Sequence, residues 1–254
     1  MSFERIYYSR RLIMVPAPKF SPQEQEELIL DAAADCIWES SVLDFTMSAV
    51  SKAAGLSMGS VYKHVQSKED IIIALSMRSF ARQGEVFKEV LSLSLPTPEK
   101  IAGISLLSDE KVQVYPFDNE LKSLAHNQAV LKRASPYWIE RMFRACSDCE
   151  LLFNKSMHKA AFNGELKLNG NTEQSIEEIN LGCWAMMAGF DEVHAVTQVQ
   201  SISEGTDNLS KGVETDSAMM QCLKRFVNSY QWREPLTDEG IVRVSEKLKE
   251  LGFR

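Results

Sequence analysis

Residues 46–70 read TMSAVSKAAGLSMGSVYKHVQSKED, and this stretch carries the strongest structural signal in the chain. Thr46, Ser57 and Ser67 each precede a helical segment, and hydroxyl side chains at such positions accept hydrogen bonds from free backbone amides. Gly55 ends the first segment, because glycine readily takes the left-handed conformation that closes a helix. The stretch therefore predicts two short helices joined by a tight turn and followed by a third helix. That arrangement is the helix-turn-helix, whose second helix enters the major groove of DNA.

Apolar residues of the same stretch are spaced to form a small core. Val61 and Val65 lie four residues apart, so they share one face of the second helix. Asp70 stands three residues after Ser67 and predicts a helix start that resembles a capping box. The residues predicted to face the core from the first helix and the turn are Val50, Ala53, Ala54 and Leu56.

The charge of this stretch favours contact with phosphates. Between residues 46 and 68 there are three bases, Lys52, Lys63 and Lys68, and no acids, whereas the whole chain has 28 bases, 35 acids and a net charge of −7. A surface of bases alone in an acidic protein is what a DNA backbone requires. The alternative interpretation is that the three lysines are there by chance and simply face water.

The same residues resemble the N-terminal DNA-binding domain of tetracycline-repressor (TetR) family transcriptional regulators. The resemblance runs from Leu28 to about Leu75 and includes the segments LILDAAADCIWES, TMSAVSKAAGLS and MGSVYKHVQSKEDIIIAL. Its most specific part is the spacing of Gly55, Leu56, Ser57, Gly59, Ser60, Tyr62, His64, Val65, Ser67 and Lys68. The resemblance covers about a fifth of the chain, and the remainder is similar only in length and helical character.

The resemblance implies a set of DNA-contacting residues. They are Thr46 and Met47 at the start of the second helix, Ser57, Met58, Gly59, Ser60, Tyr62, Lys63 and His64 in and after the recognition helix, and Lys68 in the fourth helix. Ser48 and Met58 depart from the longer polar residues that are common in the family, so we expect more reliance on thymine methyl groups or DNA shape. For His64 the alternative is a structural hydrogen bond beside the core.

We expect an all-α protein with a three-helix DNA-binding domain and a larger helical domain for ligand binding and dimerisation. Only 12 glycines and 8 prolines in 254 residues favour long helices. The predicted division is a basic arm or disordered tail at 1–20, the helix-turn-helix domain at 21–80 and the regulatory domain at 81–254. The predicted helices run from Ser21 to about Ser40, from Ser67 to about Leu91, and over 97–108, 117–132, 136–163, 172–200, 215–231 and 237–251. The polar segment 201–216 predicts a mobile loop.

Two surfaces follow from this organisation. The resemblance implies a homodimer formed by helices 172–200 and 215–231, and Ile176, Ile179, Cys183, Met186 and Met187 form an apolar stripe on the first of them. Packing within one subunit explains the same stripe.

A small apolar ligand is expected near Trp138, Met142, Phe143, Phe162, Trp184, Met187 and Phe190. These residues also suit an ordinary core.

The sequence favours a DNA-binding transcriptional regulator, a ligand-responsive repressor acting as a homodimer on a palindromic double-stranded operator. The alternatives are a protein-interaction adaptor built on the helix-turn-helix and a redox-sensing regulator that uses Cys146 and Cys149.

We expect no catalytic residues, cofactor or bound metal, since no catalytic motif or four-ligand zinc pattern is present. The N-terminus lacks the apolar run of a signal peptide and no segment approaches membrane-spanning length, so we expect a cytoplasmic protein with free thiols.

Overall fold

The computed structural model describes residues 20–203 and 213–254, which form helices and one very short two-stranded ribbon. The elements are α1 Pro22–Glu39, α2 Met47–Ala53, α3 Met58–Val61, α4 Lys68–Ser92, α5 Thr97–Ser105, α6 Asp109–Val112, α7 Asp118–Ala125, α8 Gln128–Leu131, α9 Pro136–Phe162, β1 Leu166–Lys167, α10 Thr172–Ser203, α11 Ala218–Val227, β2 Gln231–Trp232 and α12 Asp238–Glu250. The expected all-α class is confirmed. No helix among the described residues combines the length and the hydropathy that crossing a membrane requires.

The first core is formed by α1, α2, α3 and the N-terminal half of α4, which together are termed the reading head. Ile29, Val50, Val61 and Ile71 are fully buried in it. The same core also includes residues from α7 and from the start of α9, such as Leu121. The reading head therefore shares its apolar interior with elements that follow it in the chain.

The second core lies between the C-terminal half of α4, α5, the end of α9 and the helices α10, α11 and α12. Gly103 of α5 lies against Val90 and Val244, so α5 packs closely on both α4 and α12. The ribbon closes this region, with Leu166 of β1 paired to Trp232 of β2 in antiparallel register.

Two long helices contribute to both cores. On α4, Phe80 belongs to the first core and Val86 to the second. On α9, Trp138 belongs to the first core and Met157 to the second. Because packed helices move as rigid elements, α4 and α9 mechanically join the reading head to the rest of the chain. The predicted domain boundary near residue 80 stays a prediction.

Several predicted helices differ from the observed ones. The predicted helix 117–132 is two helices, because the side chain of Asn127 accepts a hydrogen bond from Ala129 N at 2.8 Å and starts α8 anew. The predicted helix 215–231 is shorter, since Ser217 caps α11 and the helix ends at Val227. The α10 helix continues to Ser203, so the start of the predicted loop at 201–216 is helical. Residues 204–212 of that loop, and residues 1–19 of the predicted arm, lie outside the described residues.

Candidate nucleic-acid interface

The helix-turn-helix is formed by three capped helices and one glycine turn. The side chains of Thr46, Ser57 and Ser67 accept hydrogen bonds from Ala49 N, Ser60 N and Asp70 N at 3.1, 3.2 and 3.1 Å. Gly55 has a φ of 65°, a conformation that side chains rarely adopt, so the predicted turn chemistry is confirmed. These caps set the ends of α2, α3 and α4 by local hydrogen bonds alone.

A buried hydroxyl that the sequence did not reveal also holds the turn. Ser51 Oγ donates to the carbonyl of Leu56 at 2.7 Å, across the turn between α2 and α3. Val50 is fully buried as predicted, whereas Ala53 is exposed. Val50 and Ala54 are four residues apart and share the face that packs on the core, so the side chain of Ala53, one position earlier than Ala54, faces away from it.

The predicted DNA-contacting residues differ in exposure. Thr46, Ser57, Gly59, Tyr62 and Lys63 are exposed, while Met47, Met58, Ser60, His64 and Lys68 are half-buried. Seven of the ten lie at the three capped helix starts, and Tyr62, Lys63 and His64 directly follow the end of α3. Their individual roles in DNA binding stay predictions.

Three of these residues, Lys68, Ser57 and Ser60, already have partners inside the protein. Lys68 Nζ donates to the carbonyl of Leu43 at 2.7 Å and lies 4.7 Å from the centroid of the Phe45 ring. Lys68 thereby holds the loop that leads into α2 while placing a positive charge at the start of α4. The Ser57 and Ser60 hydroxyls are 3.0 Å apart and share one hydrogen bond, so each supports the start of α3.

His64 is located where the reading head meets α9. Its Nε2 lies 3.4 Å from Gln25 Oε1, and its carbonyl accepts a hydrogen bond from Trp138 Nε1 at 3.0 Å. The first contact fits the structural alternative for the ring, and the second was not predicted at all. Trp138 contributes to the position of the recognition helix rather than to a pocket in the second core.

Carboxylates close to this surface are neutralised by arginines. A cleft of about 150 Å³ beside the recognition helix is lined by Glu26, Lys63, His64, Gln66, Ser135 and Tyr137. Glu26 accepts a hydrogen bond from Arg141 Nη1 at 2.8 Å, and Glu69 pairs with Arg133 at 3.0 Å. Glu26 and Glu69 are therefore each paired with an arginine and not with Lys63.

This surface agrees with a known family. A protein-family model described as "Bacterial regulatory proteins, tetR family" matches residues 29–75, which span most of α1, all of α2 and α3 and the first turns of α4. Residues 29–75 therefore match the helix-turn-helix domain of TetR-family regulators, and this part of the chain is a DNA-binding domain of that type.

Comparison with solved structures concerns the fold alone, and a match with a TM-score above 0.5 covers 83% of this chain. GusR of Salmonella enterica is similar with 16% identity and a TM-score of 0.52, over 83% of this chain and 97% of that one. FadR of Bacillus subtilis in complex with stearoyl-CoA is similar with 16% identity and a TM-score of 0.48, over 74% and 99%. Reduced NemR of E. coli has 15% identity and a TM-score of 0.48, over 84% and 100%. No curated protein matches the chain.

The seven residues predicted to bind an apolar ligand do not surround one cavity. Trp138 and Met142 are buried in the core of the reading head, and Met187 and Phe190 pack against the second core. Phe143, Phe162 and Trp184 are exposed by 56, 92 and 58%. These seven side chains therefore belong to different parts of the structure, and their role in ligand binding stays a prediction.

The two cysteines considered for redox sensing are half-buried on α9. Burial raises the pKa of the Cys146 and Cys149 thiols, and the charge of Asp148 adds to the rise at Cys149. A raised pKa keeps a thiol protonated and slows its oxidation. Among the described residues, no group of three or more His, Cys, Asp or Glu side chains is placed to hold a metal ion.

Replacing Lys63 by alanine is expected to weaken binding to specific DNA about tenfold and to reduce the salt slope by about one. The reason is that Lys63 is an exposed cation at the end of the recognition helix with no acid in the adjacent sequence. Fluorescence anisotropy at several salt concentrations measures both quantities. Lys247→Ala is the matched control, because it removes the same charge from α12. Equal effects of the two substitutions would show that Lys63 makes no contact.

Proposed function

We propose that this protein is a ligand-responsive repressor of the TetR family that binds a palindromic operator as a homodimer. The observation that carries the proposal is the helix-turn-helix itself: residues 46–68 include three lysines and no acid, and Tyr62 and Lys63 are exposed beside three capped helix starts. An adaptor that binds only protein has no need of such a surface. Repression and response to a ligand are the family's usual mode and rest on that likeness.

The homodimer is supported by the two apolar faces of α10. The stripe considered in the sequence, including Ile176, Ile179 and Cys183, is buried in the chain's own core. The opposite face carries Leu181, Trp184, Val193, Val196 and Val199, which are 56, 58, 58, 68 and 69% exposed. A helix that is apolar all round is normally buried on both sides. The exposed face extends over about 27 Å from Leu181 to Val199, which is long enough for an interface.

A symmetric partner fits this face because one reading head contacts only a few base pairs. Two-fold pairing places two heads on adjacent half-sites, and isologous interfaces are the commonest in homo-oligomers. The α11 helix packs beside α10, with the ring of Phe226 in contact with Gly182. The α10 and α11 helices of two subunits would then form a four-helix interface.

Replacing both Val196 and Val199 by glutamate is expected to convert the dimer to a monomer. Four charges would be placed within the proposed interface without a partner, and the dimer dissociation constant should rise roughly 30-fold or more, equivalent to ~2 kcal/mol. Sedimentation equilibrium measures this directly. Val242→Glu is the control, because Val242 is an exposed valine on α12, 48% accessible, outside the α10 face. A double variant that stays dimeric would move the interface elsewhere.

Response to a ligand is supported by the shared helices. Because α4 and α9 belong to both cores, a change of packing in the second core would be transmitted along these helices to the reading head. A ligand that binds the DNA-free arrangement better by a few kcal/mol would release the operator.

The proposal is tested by selecting bound sequences from a random duplex pool at two salt concentrations. Enrichment of a palindrome, with steep loss of binding at higher salt, is the expected result. Enrichment of a single half-site would retain DNA binding and overturn the homodimer. Binding without sequence preference and without salt dependence would instead favour the protein-interaction adaptor.

A further inference from the structure

A groove at the end of α4 and α9 remote from the reading head has an unusual charge. It has a volume of about 220 Å³ and is formed by the end of α4, the start of α5, the last turns of α9 and the connection that follows α9. Lys88, Lys100, Lys155 and Lys159 line it, with Glu165 as its one carboxylate. The term lysine groove is used for these four lysines and the space between them. None of the seven residues predicted to bind a ligand lines it.

The carboxylate of Glu165 is already bound within the protein. Its oxygens accept hydrogen bonds from the backbone N–H of Thr97 and from Thr97 Oγ1, the latter at 2.9 Å, at the start of α5. Arg233 fixes the connection that carries Glu165, since it donates to the carbonyl of Asn163 at 2.6 Å. Glu165 therefore stabilises the N-terminus of α5, and its single negative charge offsets only part of the charge of the four lysines.

The lysines of the groove differ from those elsewhere in the second core. Across residues 20–203 and 213–254, none of the four has a carboxylate oxygen within 4.0 Å. By contrast, Lys224, Lys247 and Lys249 lie 2.7, 2.6 and 2.8 Å from acidic side chains. In a chain with a net charge of −7, such a cluster of unpaired cations creates a local positive potential that attracts anions.

Lys100 is the most confined of the four. It is half-buried, and its Nζ is 3.4 Å from the carbonyl of Leu91. Burial lowers the pKa of Lys100, the charge of Glu165 counteracts this, and the neighbouring charge of Lys159 lowers the pKa further. A bound anion would favour the protonated form, so its binding would be coupled to proton uptake at alkaline pH.

We propose that the lysine groove binds a small phosphorylated molecule. Several converging cations suit the double negative charge of a phosphate better than the single charge of a carboxylate, and lysine is a common phosphate ligand. The sides of the groove provided by Leu91, Leu152 and Ala160 accommodate an apolar part of the same molecule.

The position of the groove gives the bound molecule a route to the DNA surface. It lies where α4 ends, and the 25 residues of α4 span about 37 Å from Lys68 to this end. The α9 helix also runs from Trp138 in the reading head to Lys155 and Lys159 in the groove. Control of DNA binding through the groove rests on the proposed function, whereas phosphate binding itself does not.

Inorganic pyrophosphate is the probe for the test, added to DNA-free full-length protein in about 50 mM salt and followed by titration calorimetry. The double variant Lys100→Ala, Lys159→Ala should lose affinity by about tenfold or more. Two controls remove the same charge elsewhere: Lys111→Ala with Lys132→Ala, two exposed lysines on α6 and directly after α8, and Lys247→Ala with Lys249→Ala on α12. Both controls should bind pyrophosphate as the unmodified protein does.

Three outcomes would overturn the site. The first is no heat of binding at about 10 mM pyrophosphate, a concentration that would reveal even millimolar affinity. The second is an equal loss of affinity in all three double variants, which would indicate only the overall charge. The third is stronger binding of succinate than of pyrophosphate, which would assign the groove to carboxylates. Because DNA is absent, failure of the operator proposal does not affect these measurements.

Discussion

Replacing Trp138 by alanine is expected to lower the free energy of unfolding by about 3–5 kcal/mol and to abolish specific DNA binding. Trp138 is 1% exposed and lies in the same core as Val61 and Val65 behind the recognition helix. Its Nε1 donates to the carbonyl of His64 at 3.0 Å, and the Arg141 guanidinium lies 4.4 Å from its ring. The substitution therefore leaves a cavity, and it leaves the carbonyl of His64, just after the recognition helix, without its hydrogen-bond donor.

Urea unfolding followed by circular dichroism measures the first effect, and anisotropy with the selected operator measures the second. Trp138→Phe separates the two causes, because it keeps most of the ring volume and loses the hydrogen bond, at a cost of about 1–2 kcal/mol. Trp38→Ala is the matched control. Trp38 is 67% exposed on α1, and the same truncation there should cost less than about 0.5 kcal/mol. A Trp138→Ala protein as stable as Trp38→Ala would disprove the role of the contact.

Replacing Asp70 by alanine should have an effect of similar size for a different reason. Asp70 is fully buried, and its carboxylate accepts hydrogen bonds from Gln66 N at 2.7 Å and Ser135 N at 2.6 Å. Hydrogen bonds to a charged group contribute about 1.5–3 kcal/mol each, so we expect a loss of about 3–5 kcal/mol. The first bond closes the segment between α3 and α4, and the second attaches the start of α9 to it.

The bond to Gln66 also corrects the sequence interpretation of this helix start. In a capping box the Asp70 side chain would accept a hydrogen bond from the backbone N–H of Ser67, but it accepts one from Gln66 N instead. Ser67 still caps α4 through Asp70 N. The carboxylate is thereby free to join a segment 65 residues further along the chain, which a local capping motif does not reveal.

Hydrogen exchange of the Gln66 and Ser135 amides provides a readout specific to Asp70. Both amides should exchange faster in Asp70→Ala, while amides at the centre of α12 keep their protection until global unfolding. Asp35→Ala is the control, because Asp35 is exposed on α1. Unchanged exchange at both amides, with unchanged stability, would contradict the assignment of Asp70 as the link between α4 and α9.

The sequence by itself determined the reading head, because its signals are local. Thr46, Ser57 and Ser67 accept hydrogen bonds from amides three residues ahead, and Gly55 supplies the one left-handed residue of the turn. Such interactions need only neighbouring residues, so spacing alone reveals them. The all-α class followed in the same way from helical periodicity and scarce turn residues.

Only the tertiary structure decided which face of a long helix is interior. On α10 the buried residues include Ile176 and Ile179, and the exposed ones include Trp184 and Val196, yet both sets are apolar. Periodicity cannot distinguish a core from an interface when both are apolar, because each requires the same side chains. The structure resolved this by placing one set against the second core.

The contacts of Trp138 and the lysine groove were likewise beyond the sequence. Trp138 lies 74 residues from His64, its hydrogen-bond partner. The four lysines of the groove are spread from Lys88 to Lys159 and converge only when α4, α5 and α9 pack together. Each lysine alone is an ordinary solvated residue, and their chemistry arises from proximity in space, which no local pattern encodes.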